Sequence, residues 1–542
     1  MRGLLNRVKE KVEVVPKQSK IHSLWQLRAS QKWVFLIHLG IIAFFLSFQT
    51  DVSAQNKVYD RQTILTNIQA SGMSRVIVLI TSPRLGTLSA LSHAHQGVVP
   101  GEKIIPKKIR AATDADQKLT GEIASVVDGL MTRLSGKPHA LIHRYDTLPF
   151  VALKVSMESL DILELTPEVV TIFPDKVTPL PQPNLPYSSG KKDSTNQPEV
   201  IRPQLSSSVN IIGATGAWNQ GYTGSGWYVA VLDTGIRRTH QFFYNKTIVE
   251  ACFASGENQT APAGDCPNGS NTMYGTGAAD HYPSNYSGYD HGTHVSGIAA
   301  GKRSDGSLNG IAKDADIMAI KVFSKFPSSQ DVGAWDSDII KGLDYIYSLR
   351  NTYSIAAANM SLGGSLYNSQ SQCDSDNGPT KAAIDNLKSV GIATIIATGN
   401  DGSCNGISQP ACISSAVAVG ASTKNDIETG FNNWHPSLQD LFAPGESINS
   451  STGSSDTSFA SWSGTSMATP HVTGAWAILL QNRPMATVDQ ILSTVISTGV
   501  QVATICSTGG TKPRIQVDKA LVSTPPSTGK STAPILEMLL SN

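Results

Sequence analysis

Tyr228-Val229-Ala230-Val231-Leu232-Asp233-Thr234-Gly235 is the stretch on which the fold turns. Five residues without polar alternation suit a strand buried on both faces, and such strands belong to parallel sheets covered by helices on each side. The run stops at Asp233, so its carboxylate emerges at the carboxyl end of a strand, where open α/β sheets gather their functional groups. Further along, Ile317–Val322, Ala356–Met360, Ile392–Ala397 and Ala416–Val419 repeat the pattern, with helical periods near 291–300, 336–349, 378–389 and 467–481. The alternation predicts an α/β domain over 209–523, a parallel sheet with helices on both faces.

Upstream, RVIVLI at 75–80 reads as a strand and 115–134 as a helix with Leu119, Ile123, Val126, Val127, Leu130 and Leu134 near one face. Phe150–Val155, a helix at 157–165 and a strand Val169–Phe173 complete a small α+β domain of order β-α-β-α-β within 55–174. Residues 175–208 are rich in Pro, Ser, Asn and Lys, and Pro179, Pro181, Pro183 and Pro186 oppose a regular ladder. That stretch reads as an extended, easily cut linker. Residues 524–542 read as a mobile tail.

The 542 residues exceed one ordinary domain. With 40% hydrophobic residues, 16% charged residues and a net charge of +1, the chain carries no nucleic-acid footprint. The charge is uneven: residues 1–32 hold eight Lys/Arg against Glu10 and Glu13. A 16-residue apolar run, Trp33 to Phe48, follows, and then Val52-Ser53-Ala54 before Gln55. The run is shorter than the ~20 residues a spanning helix needs, and small residues at 52 and 54 suit signal-peptidase cleavage. Residues 1–54 are therefore expected to be an export signal that touches a membrane only in transit, giving a secreted protein, extracellular or periplasmic; the alternative is that the apolar run stays uncleaved as an anchor.

Six cysteines (Cys252, Cys266, Cys373, Cys404, Cys412, Cys506) form no paired C-x-x-C knuckle. Zinc is not expected, and an even count behind an export signal favours disulfides. Proximity nominates Cys404–Cys412 first and Cys252–Cys266 second.

Three separated segments carry chemistry. Gly464-Thr465-Ser466-Met467-Ala468-Thr469-Pro470-His471 sets a serine at the start of an apolar helix, with Pro470 fitting its first turn. Free amides and the dipole at a helix N-terminus stabilise an alkoxide or oxyanion. Asp290-His291-Gly292-Thr293-His294 opens another helix, with glycine allowing close backbone approach to His291. His294, one turn on, reads as structural. A hydroxyl is a weak nucleophile near neutral pH, so it needs a base, and the base needs a group that fixes its tautomer. Ser466, His291 and Asp233 supply one of each. After Ile392–Ala397 comes Thr398-Gly399-Asn400-Asp401-Gly402, whose Asn400 amide could donate to a developing oxyanion. Singly, these residues are ordinary caps and turns; together they make a constellation.

The segments around Asp233, His291, Asn400 and Ser466 resemble, in order, the four motifs of the subtilases, the subtilisin-like serine peptidases. The resemblance covers about residues 209–523 and implies a serine endopeptidase with Asp233, His291, Ser466 and Asn400 as catalytic residues. It implies that Ser361, Leu362 and Gly363 pair with substrate backbone, with Ala397, Thr398 and Gly399 as the other wall of the primary specificity pocket. It implies also that 55–174 is an inhibitory propeptide, making the chain a zymogen that binds its own propeptide and then protein or peptide substrates, as a monomer. No cofactor is required for catalysis, and structural calcium is allowed although no D-x-D-x-D-G loop is present. The long stretch between Asp233 and His291, and Thr398 where a smaller residue is frequent, depart from the pattern.

Two rival readings follow from the same residues. Asp-Thr-Gly also marks aspartic proteases, but that chemistry needs two carboxylates and this chain has one such tripeptide. A non-catalytic relative would keep the fold as a binding protein.

Overall fold

The computed structural model describes residues 57–93, 106–180, 204–256 and 264–523, all within one compact body, Lys57–Asn542. The expected export signal, the tail and residues 181–203 of the linker lie outside the described residues.

The N-terminal part is built from β1 (Ser74–Ile80), α1 (Pro106–Arg133), β2 (His139–Arg144), β3 (Phe150–Val155), α2 (Met157–Leu165) and β4 (Val169–Pro174). Its sheet runs β2-β3-β1-β4, all neighbours antiparallel. The expected β-α-β-α-β order missed β2 and two helices, Arg61–Ser71 and Leu85–His93. His139, His143 and Arg144 break the apolar pattern of β2, yet His143 is buried because Nε2 meets the Asp338 carboxylate at 2.6 Å.

After β5 (Val177–Pro179) the chain forms β6 (Tyr228–Asp233), β7 (Ile248–Phe253), β8 (Thr272–Tyr274) and α3 (His291–Ala300). There follow β9 (Asp316–Lys321), β10 (Phe323–Phe326), β11 (Asp331–Trp335), α4 (Asp336–Leu349), β12 (Ile355–Met360), α5 (Gly378–Ser389), β13 (Ala393–Ala397) and β14 (Val417–Ser422). The last elements used below are β15 (Leu441–Pro444), α6 (Thr465–Asn482), β16 (Val500–Ala503) and β17 (Thr511–Arg514). Ten strands form one sheet, β16-β17-β15-β14-β13-β12-β6-β9-β7-β8. Its interior is parallel throughout, and only the edge strands β16 and β8 run antiparallel to their neighbours. The α/β class read from the sequence is the class observed.

Period-two alternation decides which helix each strand residue meets. Val229 and Val231 of β6 share a cluster with α3 and α6, whereas Ala230 and Leu232 share one with α4 and α5. In β1 the same rule sends Val76, Val78 and Ile80 to Leu119, Ile123 and Leu130 of α1. Ile77 and Leu79 point the other way, into the cluster that holds Ile339, Ile340 and Leu343 of α4. The small sheet thus lies between its own helix and α4.

Polar bonds reinforce that seam. Asp175 accepts the backbone N–H of Ser337, in the first turn of α4, at 2.9 Å, and Arg75 Nε donates to the same carboxylate at 2.8 Å. A carboxylate at a helix N-terminus satisfies an orphan amide and faces the positive dipole end. Three residues of the expected linker form a ladder: β5 pairs antiparallel with β11 as Val177↔Trp335, Thr178↔Ala334 and Pro179↔Gly333.

Cys252–Cys266 is bonded as expected, but Cys404–Cys412 is not; the other pairs are Cys373–Cys412 and Cys404–Cys506. Proximity in sequence misleads here because Ile407–Ser408 pairs with Leu366–Tyr367. That pairing draws Cys412 toward the helix Gln370–Asp376, which carries Cys373.

Candidate active site

Asp233 closes β6 and His291 opens α3. Both carboxylate oxygens face His291 Nδ1, at 2.9 and 3.0 Å, with both side chains buried. A carboxylate accepts, so Nδ1 is the donor, which in the neutral ring leaves Nε2 as the acceptor. The carboxylate also accepts the Thr234 N–H at 2.7 Å. Gly292 permits the approach: a Cβ there would strike the Gly235 carbonyl and crowd Asp233. Asp233 therefore faces an imidazole rather than a second carboxylate, which removes the aspartic-protease geometry.

Ser466 is the second residue of α6 and is fully buried. Its hydroxyl donates to the Ser361 carbonyl at 3.3 Å, while His291 Nε2 is buried without a hydrogen-bond partner. The Ser466–His291 hydrogen bond is thus not formed in this structure. Pro470 lies inside α6, past the first turn where the sequence reading put it. Lacking an N–H, it cannot donate to the carbonyl four residues back, that of Ser466. Ser361 Oγ donates to that carbonyl instead, at 2.9 Å. Ser361 is held in turn by Asn359 Nδ2 at 3.0 Å, and Asn359 by Thr473 at 2.9 Å.

Asn400 follows β13. Its Oδ1 accepts both the N–H and the hydroxyl of Thr465, at 2.9 and 2.8 Å, and its Nδ2 is buried without a partner. The carbonyl end is committed and the donor end is free. Leu362, Ala397 and Thr398 are buried. Gly363 and Gly399 both abut the Ser408 side chain, so the segments 361–363 and 397–399 meet around it. The Thr398 hydroxyl donates to Asn432 Oδ1 at 3.1 Å. Gly399 has φ of 102°, a conformation that favours glycine, and donates its N–H to Thr465 Oγ1 at 3.2 Å.

His294 is structural, as read. Nε2 pairs with the Ala460 carbonyl at 2.9 Å, the ring stacks on Trp462 at 4.2 Å, and burial lowers its pKa to about 3. Trp462 also lies parallel to His291, centroids 6.3 Å apart. Sequence reading missed Trp462, two residues before Gly464, and the role of Thr465 inside a quoted motif. It also missed the edge of β11, whose alternating Val332 and Ala334 before an acidic helix start were the available signal. Beyond β5, Leu180 packs on Gly288 and Val332, three residues short of His291. Among the described residues, no three His, Cys, Asp or Glu side chains are grouped to hold a metal, and no helix is long and apolar enough to cross a membrane.

Residues 224–518 match the model of the Subtilase family. An alkaline protease of Alkalihalobacillus alcalophilus is 31% identical over 345 residues, 64% of this chain and 72% of that protein. An extracellular serine proteinase of Thermus sp. (strain Rt41A) is 34% identical over 277 residues, 51% of this chain and 55% of that protein. A solved structure of a Pseudoalteromonas arctica protease is 28% identical, covering 57% of this chain and 93% of that one, with a TM-score of 0.47. With its ten-stranded sheet and this family match over more than half its length, the chain belongs to the subtilase family and is a serine endopeptidase.

Proposed function

We propose that Ser466 is the nucleophile, His291 the general base, Asp233 the group that orients it, and Asn400 with the Ser466 N–H the oxyanion donors. The observation that carries this reading is the Asn400 Nδ2, buried and unpartnered while Oδ1 of the same amide is bonded to Thr465, the first residue of α6, together with a buried His291 Nε2 that also lacks a partner. Attack begins when the Ser466 hydroxyl leaves the Ser361 carbonyl for Nε2. His291 takes the proton as Oγ bonds to the scissile carbon, the oxyanion is held by Asn400 Nδ2, and His291 returns the proton to the leaving amine. Water then hydrolyses the acyl-enzyme by the reverse sequence. No cofactor enters this scheme, and no step is routed through calcium.

Substrate is extended, with Ser361–Gly363 on one side and β11 on the other, main-chain hydrogen bonds holding the scissile bond in register. Residues 55–174 act as an inhibitory propeptide, and β5 already lies on β11 as a substrate strand would. The protein is in this reading a secreted zymogen that cuts itself within the linker, residues 175–208. Fluorophosphonate labelling tests the scheme: mature enzyme is labelled at Ser466, whereas Ser466→Ala takes no label and stays full length. Labelling of the alanine variant, or its normal self-trimming, overturns the assignment. Absence of label and of peptide hydrolysis in the wild type would favour the binding-protein reading.

A further inference from the structure

The loop that presents Asn400 is gripped by one fully buried side chain, Asn433, which lies 33 positions away between β14 and β15. Its Oδ1 accepts the N–H groups of Asp401 and Ser403, both at 3.0 Å. Its Nδ2 donates to Asp401 Oδ2 at 2.8 Å and to Ser408 Oγ at 3.2 Å. Its backbone N–H donates to the Gly399 carbonyl at 3.2 Å. These bonds bracket Asn400 on both sides and touch none of its atoms.

The division of labour is physical. Thr465 fixes the side-chain carbonyl of Asn400, whereas Asn433 fixes the backbone from which that side chain springs. An oxyanion donor acts only if it is already aimed where charge will develop, since reorganisation during the reaction cancels the gain. Gly399 and Gly402, at φ of 102° and 66°, flank a turn that glycine leaves conformationally free. Something other than local sterics must therefore hold it. Backbone bonds from Gly402 to Phe431 and from Trp434 to Ser403, with the Cys404–Cys506 disulfide, keep the loop attached to the body without help from the Asn433 side chain. Removing that side chain loosens the turn without detaching it.

We propose that Asn433 is a positioning residue for the hydrolysis, setting the aim of the Asn400 amide. The proposal rests on Asn400 being an oxyanion donor. Interactions realised in the transition state govern kcat more than KM. Asn433→Ala is therefore expected to lose roughly 10- to 100-fold in kcat with KM changed less than about threefold, against the ~10²–10³-fold loss for removing the donor itself.

The test is a double-mutant cycle on the mature enzyme, each variant trimmed in trans by tagged wild-type enzyme that is then removed, with a peptide p-nitroanilide as substrate and fluorophosphonate titration of active sites. In the Asn400→Ala background, Asn433→Ala should cost less than about threefold further, because a missing donor cannot be misaimed. The pair Asn433→Asp with Asp401→Asn exchanges donor and acceptor across the same contact. It should restore kcat to within about threefold of wild type, whereas Asn433→Asp alone sets two carboxylates together and should not. Should Asn433→Ala not fold, Asn433→Ser and the exchanged pair carry the same comparison. An equal loss in both backgrounds, or a rise in KM with kcat intact, overturns the positioning role and leaves Asn400 untouched. Full activity of Asn400→Ala alone overturns the oxyanion reading beneath it.

Discussion

Thr465 makes two hydrogen bonds to a single oxygen of Asn400, one from its N–H at 2.9 Å and one from its hydroxyl at 2.8 Å. Both consume the acceptor end of the amide, so the free end is a donor and not a carbonyl. Thr465→Val deletes the hydroxyl bond to Asn400 and also the acceptor of the Gly399 N–H at nearly constant shape, and is expected to lower kcat at least about tenfold, since each hydrogen bond is worth about 0.5–1.5 kcal/mol. Thr465→Ser should stay close to wild type. Steady-state kinetics on a peptide amide checks both, and an unchanged Thr465→Val would show that the backbone bond alone suffices.

Ser361 stands at the junction of two needs, since it supplies the hydrogen bond that Pro470 cannot give to the Ser466 carbonyl. Ser361→Ala leaves that buried carbonyl without its donor and should destabilise the protein by about 1–3 kcal/mol. Chemical denaturation in a Ser466→Ala background, where self-digestion is blocked, reads the loss. A change below about 0.5 kcal/mol would contradict the account given of Pro470.

Two buried histidines make the fold sensitive to acid. Burial lowers His294 to about 3 and His471 to about 4; the latter is wedged between the Met467 carbonyl and Ser208. Both stay neutral in the folded state at pH 5, whereas in the unfolded chain they titrate near the ordinary ~6.5. The unfolded state then binds more protons, so stability is full above about pH 6.5 and falls as pH drops toward the two depressed values. Each histidine should remove about 2 kcal/mol at pH 5 relative to pH 7.5. Urea unfolding at the two pH values measures this, and His471→Gln should remove about half of the difference.

Asp175 and Arg75 bind each other in a dry seam, 0% and 7% exposed at the side chain. Breaking one half of a buried pair costs about 3–5 kcal/mol because the other charge is stranded. Asp175→Ala, placed in a separately added polypeptide spanning residues 55–180, should therefore weaken its inhibition of the mature enzyme by at least about 100-fold. The Ser255 and Ser337 hydroxyls and the Trp335 ring would still contact Arg75, so a loss below tenfold would mean that they neutralise it unaided.

What the sequence made legible follows from how local each signal is. Tyr228–Asp233, His291 and Ser466 each announce themselves within eight residues, because a strand end or a helix start and its reactive group share one segment. Helices α3, α4 and α5 were legible to the residue for the same reason. Asn433 and the Cys404–Cys506 bond are set by chain segments far apart in sequence, with no pattern around them to read. β2 was hidden by its polar residues, of which His143 is buried only because it meets Asp338, nearly two hundred positions away. Pro470 was placed too early because a proline is ordinarily excluded from a helix interior; it is tolerated here because Ser361, just beyond β12, replaces the lost donor.

Since Ile77 and Leu79 of the small sheet share one oily cluster with Ile339 and Ile340 of α4, a nick after Leu180 severs the backbone and leaves the two pieces adhering. On the zymogen reading proposed above, scission and unmasking are then separate events. The interval between them would be governed by how fast the small piece peels away or is itself digested, so that reading gives a newly cut molecule a latent period whose length is written into the shared surface.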